Sequence, residues 1–160
     1  MEGCFKSMRE AVGGAFALQI ILAFVLLING YLAYSVNYTR AFRVKNGIID
    51  IIEQSEGYTT NAQSQIASYV QRMNYYVPAD YFDETSVFDG LDPSEYTCDR
   101  TAGYCVHAIN VSGNKNSGNY RGTYYQVVTF VNINIPFLNR FLPLGNYLQV
   151  SGETTTIYER

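Results

Sequence analysis

Tryptophan is absent from this chain, and histidine occurs once, at His107. With a single imidazole there is no histidine cluster for a metal, and no zinc-ligand spacing accompanies it. His107 reads as an ordinary strand residue, since a base or ligand would need partners that the chain does not display. Phosphate-cradling glycine loops and a nucleophile elbow are missing as well. Nothing here points to an enzyme, and no cofactor is implied. Charge is also scarce, at 16% of residues, with a net charge of -3. The few basic residues are scattered, which excludes the clustered Lys and Arg that nucleic-acid binding needs. From Ala11 to Thr39 there is no charged residue at all.

That gap holds the dominant feature of the chain. The segment Ala15–Ile28 is apolar except for Gln19, and Val12–Val36 stays uncharged throughout. A bilayer core of about 30 Å requires roughly 20 helical residues, so this segment is expected to span a membrane. A buried core helix is a poorer reading, because so long an uncharged run is rare in so small a chain. A cleaved signal peptide is the stronger rival. Lys6 and Arg9 suit its basic start, but the apolar region is too long and no small-x-small cleavage site ends it. Gln19 and Asn29 lie inside the span. An unpaired amide is costly in hydrocarbon, so each is expected to face a partner helix, a backbone carbonyl or water.

Sidedness draws opposing arguments. Lys6 and Arg9 precede the span while Arg40, Arg43 and Lys45 follow it, which does not favour an outside C-terminus. Cys98 and Cys105 argue the other way. Their spacing, with turn-forming residues between, can close a short disulfide loop that persists in an oxidising compartment. Two reduced thiols in a cytoplasmic hairpin are the alternative. The cysteines weigh more, placing the C-terminal domain outside the cytoplasm and leaving Cys4 a free thiol on the other side.

Beyond the span, Phe42, Ile48, Ile49 and Ile52 continue a helical spacing. Gly47 is a place for a bend, and Gly57 is expected to end the helix at C′. A second helix follows, capped by Thr59 or Thr60, with a stripe of Ile66, Tyr69, Val70 and Met73, ending before Pro78. Pro78 to Glu95 is acidic and reads as a surface loop. Calcium is a lesser alternative for the acidic stretch Asp80 to Asp99, because EF-hand ligand spacing is lacking. Asn37 and Asn110 match the glycosylation pattern, a frequent chance match. The last third is β-patterned: strands at Tyr104–Val111, Gly122–Ile135 and Tyr147–Tyr158, with a polar loop from Ser112 to Tyr120. Fifteen tyrosines suit such a sheet, whose half-buried faces take a ring with a wet hydroxyl. The expected fold is α+β: a long N-terminal hydrophobic helix, then a small antiparallel sheet packed on helix. The expected division is 1–14 as a leader-like segment, 15–56 as membrane and stalk helix, and 57–160 as the extracytoplasmic domain.

In layout the chain resembles the type IV pilin superfamily: an apolar N-terminal helix, an amphipathic stalk and a sheet with a disulfide loop. Gly13-Gly14 stand just before the apolar run, with Lys6 and Arg9 upstream. Prepilin peptidases of that family cut after a glycine, so the resemblance implies processing between Gly14 and Ala15. The fifth residue would then be Gln19, where such pilins usually carry Glu for a neighbour's N-terminus. This is a departure, because Gln carries no charge. The Tyr-Thr-Arg-Ala-Phe-Arg stretch and the late Ile-Pro-Phe-Leu segment look most similar to tight-adherence minor pilins (TadE-like proteins). The resemblance implies a structural subunit of a surface pilus or related secretion apparatus. Its partners would be the membrane, other pilin subunits and the assembly machinery, with Gln19 and Asn29 as helix contacts. A membrane-tethered ligand-binding or sensor domain is the competing expectation.

Overall fold

The computed structural model describes residues 2–77, 87, 88, 90–113, 120–131 and 148–158. The fold is α+β, a long N-terminal apolar helix and a small antiparallel sheet. Helix α1 runs Glu2–Gln54. The chain divides into two compact units, Met1–Ser35 and Val36–Arg160.

The first unit is helical throughout its described length. No proline interrupts it, and backbone groups in an apolar run are satisfied best by their own helix. Every residue from Gly13 to Asn29 is exposed. The helix is long and apolar enough to cross a membrane.

In the second unit the stalk part of α1 supplies a buried ridge. Ala41, Val44, Ile48 and Ile52 have no exposed surface, and their spacing of three and four residues puts them on one helical face. α1 ends in two reverse hydrogen bonds, Gly57 N–H to Ile52 O (2.9 Å) and Glu56 N–H to Glu53 O (3.2 Å). This is a Schellman turn, and it corrects the expected end. The left-handed C′ position belongs to Glu56 (φ 52°), with Gly57 one place later.

Helix α2 (Thr60–Arg72) is capped by Thr59, whose Oγ1 accepts the Ala62 N–H at 3.2 Å. It buries Ala62, Ile66 and Val70. Its end repeats the same turn, with Asn74 at φ 48° and Tyr75 N–H on Val70 O. α1 continues through Gly47 without a break. The glycine serves close packing instead of a bend: a Cβ there would lie 2.3 Å from Cζ of Tyr69. Tyr69 also donates its hydroxyl to Arg43 O at 3.2 Å.

The sheet has the order β1 (Tyr96–Asp99), β2 (Tyr104–Gly113), β3 (Tyr120–Phe130), β4 (Gln149–Glu153), and β5 (Ile157–Tyr158) also pairs with β3. All pairings are antiparallel. β1 is a strand the sequence reading did not expect. The long last strand is broken into β4 and β5 by a bulge. Gln126 faces Glu153 but Thr123 faces Ile157, so β4–β5 carries one extra residue. Glu53 fastens the bulge, accepting both the N–H (2.6 Å) and the hydroxyl (3.0 Å) of Thr155.

One sheet face lies on the α1 stalk. Thr129 donates to Ala41 O at 3.1 Å. Gly152 leaves room for Lys45, whose Nζ would be 2.7 Å from an added Cβ. The other face carries Cys105, His107 and Val128, and Phe88 packs there with ring centroids 5.0 Å from Tyr96 and 5.6 Å from His107. Val87 and Phe88 are buried, so the segment expected as a wholly surface loop sends two side chains into the core. Its residues 78–86 and 89, and residues 132–147 of the expected long strand and the connection after it, lie outside the described residues.

Candidate functional site

The feature that packing leaves unexplained is the α1 surface of the first unit. Phe16, Ile20, Phe24 and Leu27 are each more than 60% exposed. A helix apolar on all sides is a helix covered by lipid or by protein. Its two amides differ. Asn29 turns back and donates Nδ2 to Val25 O at 2.8 Å. This satisfies the amide through its own helix. Gln19 is exposed and makes no hydrogen bond among the described residues. Gly14 and Ala15 are helical and exposed, and a Cβ on Gly13 or Gly14 would touch nothing within 4 Å.

In the second unit Cys98 and Cys105 are joined in a disulfide. They are directly opposed in the β1–β2 pairing, with Cα atoms 4.1 Å apart. Asp99 builds the turn between them. Its Oδ1 accepts the N–H groups of Thr101 (2.9 Å) and Ala102 (3.0 Å), an Asx turn. Gly103 completes it at φ 67°, packed so tightly that a Cβ would sit 2.7 Å from Val77.

Three tyrosines with no role in the sequence reading tie the elements together. The Tyr75 hydroxyl bonds Phe130 O and accepts the Phe130 N–H at 3.0 Å. Tyr58 and Tyr104 share a hydroxyl–hydroxyl bond of 3.0 Å. Burial raises the ionisation of Tyr75 far above its ordinary range, against a smaller opposing effect of the Phe130 backbone. Burial likewise raises Tyr104, reinforced by the Tyr58 hydrogen bond. These hydroxyls link the elements through hydrogen bonds. Only the Tyr density hinted at them; nothing in the local pattern separates these from the other twelve.

His107 is half-buried and its Nδ1 has no hydrogen-bond partner among the described residues. Among the described residues no group of three or more His, Cys, Asp or Glu is placed to hold a metal. An open polar groove runs between α1 and α2, with Gly47 and Asp50 on one side and Ser64, Ser68, Tyr69 and Arg72 on the other. Asn110 is on β2, where its Oδ1 accepts the Thr123 hydroxyl at 2.9 Å. Comparison with protein-family models, curated proteins and solved structures finds no match.

Proposed function

We propose that this protein is a pilin-like structural subunit, held in the membrane and then assembled through its N-terminal helix into a bacterial surface filament or a related secretion apparatus. The observation that carries this reading is the uncovered α1 surface with the unpaired Gln19 on it. An amide in an apolar setting gains most by bonding across to another helix. Lipid alone gives it no partner. The disulfide supports an extracytoplasmic place for the second unit. Gly13 and Gly14 sit where helix propensity disfavours them, by up to about 1 kcal/mol each, and they pack against nothing. A recognition role for a processing enzyme would account for that position.

N-terminal sequencing of the mature protein tests the processing step, with Ala15 expected as the first residue. An intact Met1 would leave a permanently anchored subunit of the tight-adherence kind. A mature chain starting beyond residue 36 would end the proposal, because the assembly helix would be gone. Gln19→Leu tests the packing: membrane insertion should persist while co-purification with sister subunits falls. Equal recovery of the assembly from the variant would mean that Gln19 makes no interhelical bond.

A further inference from the structure

We propose that the second unit has a lipid-contact site of its own, formed by Arg40, Arg43 and Arg72, which takes the phosphate of an anionic phospholipid headgroup. Arg40 and Arg43 are exposed and three residues apart on α1, hence on one face. Arg72 is exposed at the last position of α2. The fold brings it to the same neighbourhood. Tyr69 lies over Gly47 and donates to Arg43 O, and Arg72 stands one turn past Tyr69, lining the same groove as Gly47.

None of the three guanidinium groups makes an ion pair or hydrogen bond among the described residues. Acid is scarce around them. The chain carries no Asp or Glu from Ala11 to Ile49, and none within α2. Asp50 is the one carboxylate lining the groove among the described residues. In a chain of net charge -3, three arginines unpaired among the described residues indicate a partner that supplies negative charge. Guanidinium forks match phosphate oxygens in pairs.

The chain order selects a lipid phosphate. Arg40 and Arg43 follow the end of the uncharged span at Val36 by four and seven residues, and Tyr31, Tyr34 and Tyr38 stand between apolar run and arginines. Aromatic residues followed by basic ones mark the headgroup layer. This inference rests on α1 crossing a membrane and does not require assembly into a filament.

The test uses the full chain in nanodiscs of equal phosphatidylcholine and phosphatidylglycerol, with native mass spectrometry of the lipids retained on the released protein. Phosphatidylglycerol should be enriched about fivefold per contributing arginine. Arg72→Gln should lower the enrichment about fivefold and Arg72→Lys should keep most of it. All three positions are exposed, so thermal unfolding of the variants should match the parent. Equal retention of both lipids would overturn the proposal. So would an Arg72→Gln variant that enriches like the parent, since the fold would then add nothing to Arg40 and Arg43. Two further results would also overturn it: equal binding of free glycerol 3-phosphate in neutral nanodiscs, or a dimer in neutral nanodiscs that R40Q/R43Q/R72Q abolishes. The first removes the bilayer as the source of phosphate, and the second makes a copy of the chain the partner. Normal processing and subunit co-purification alongside a failed lipid test would leave the assembly reading standing.

Discussion

Glu56 and Asn74 hold equivalent places, each the left-handed residue that closes a helix. Asn tolerates that conformation through its short polar side chain, whereas Glu does not. Glu56→Gly should therefore stabilise the fold by about 1 kcal/mol, read as a rise in the thermal midpoint. A fall would mean that the Glu56 carboxylate makes a contact outweighing its backbone. Tyr75 has the opposite character. Its hydroxyl is both donor and acceptor for the buried Phe130 backbone. Tyr75→Phe removes both of these hydrogen bonds, for a loss of about 2 kcal/mol. The raised tyrosines also set an alkaline limit. Tyr58, Tyr75 and Tyr104 all ionise less readily folded than unfolded, mainly through burial. Above the unfolded tyrosine value of about 10 the unfolded chain releases these protons first. Their contribution is complete below that pH and is lost as pH rises beyond it. Denaturant midpoints should fall from about pH 10 upward, and Tyr75→Phe should flatten the decline. An unchanged slope in that variant would assign the decline to other groups.

At the scale of elements, close approach decides more than propensity. Gly47→Ala improves an exposed helix by about 1 kcal/mol, yet here its methyl meets the Tyr69 ring. The single change should destabilise, and in a Tyr69→Ala background it should stabilise by roughly that propensity gain. Additive single and double variants would show that Tyr69 does not sit on Gly47. The β1–β2 link is a second element-scale quantity. Closing a loop of eight residues is worth about 2.5 kcal/mol in the chain-entropy account, so Cys98→Ser/Cys105→Ser should lower unfolding free energy by about that much. A loss under about 0.5 kcal/mol would assign the hairpin's order to the Asp99 turn and the Phe88 contacts. These two cases also mark how far the sequence could be read. The α1 run, the Thr59 cap with its Ile66 and Val70 stripe, and β3 are legible, because periodicity and capping are local signals. β1 is hidden because four residues, Tyr-Thr-Cys-Asp, show almost no period of two between an acidic stretch and a turn. The β4–β5 bulge is hidden because Glu53, which satisfies its freed N–H, comes from a helix about a hundred residues earlier. Gly47 reads as a weak point until Tyr69 is known to lie above it. At the candidate site, Gln19, Asn29 and the Gly14–Ala15 junction stand out in sequence as polar or small residues in an apolar run. Arg72 does not, since only the packing of α2 on α1, where Tyr69 reaches Arg43 O, sets it in the groove with Gly47.

For the whole molecule, the question is which part of α1 belongs to the folded unit. Sequence periodicity suggests a stalk that precedes a domain starting near residue 57. The compact unit that holds the sheet includes the stalk from Val36 onward, and the ridge Ala41, Val44, Ile48 and Ile52 is wholly buried in it. Removing residues 36–56 uncovers the apolar surface those side chains cover. At 1.5–3 kcal/mol for each large aliphatic residue, the loss is about 6 kcal/mol. Natural domains have about 5–15 kcal/mol in total. The deletion also strips Thr129 of the Ala41 carbonyl, leaving its buried hydroxyl the longer bond to Val150 O at 3.4 Å, and strips Thr155 of the Glu53 carboxylate that fastens the bulge. A fragment of residues 36–160 should accordingly unfold in one cooperative transition, with the near-ultraviolet tyrosine signal of the full chain. A fragment of residues 57–160 should lack that transition, even with the disulfide formed. If the shorter fragment melts at the same temperature as the longer one, the stalk is not part of the core. The second unit would then be a domain tethered to α1, free to work as a separate binding module, and the case for α1 as the shared spine of anchor, core and assembly would fail.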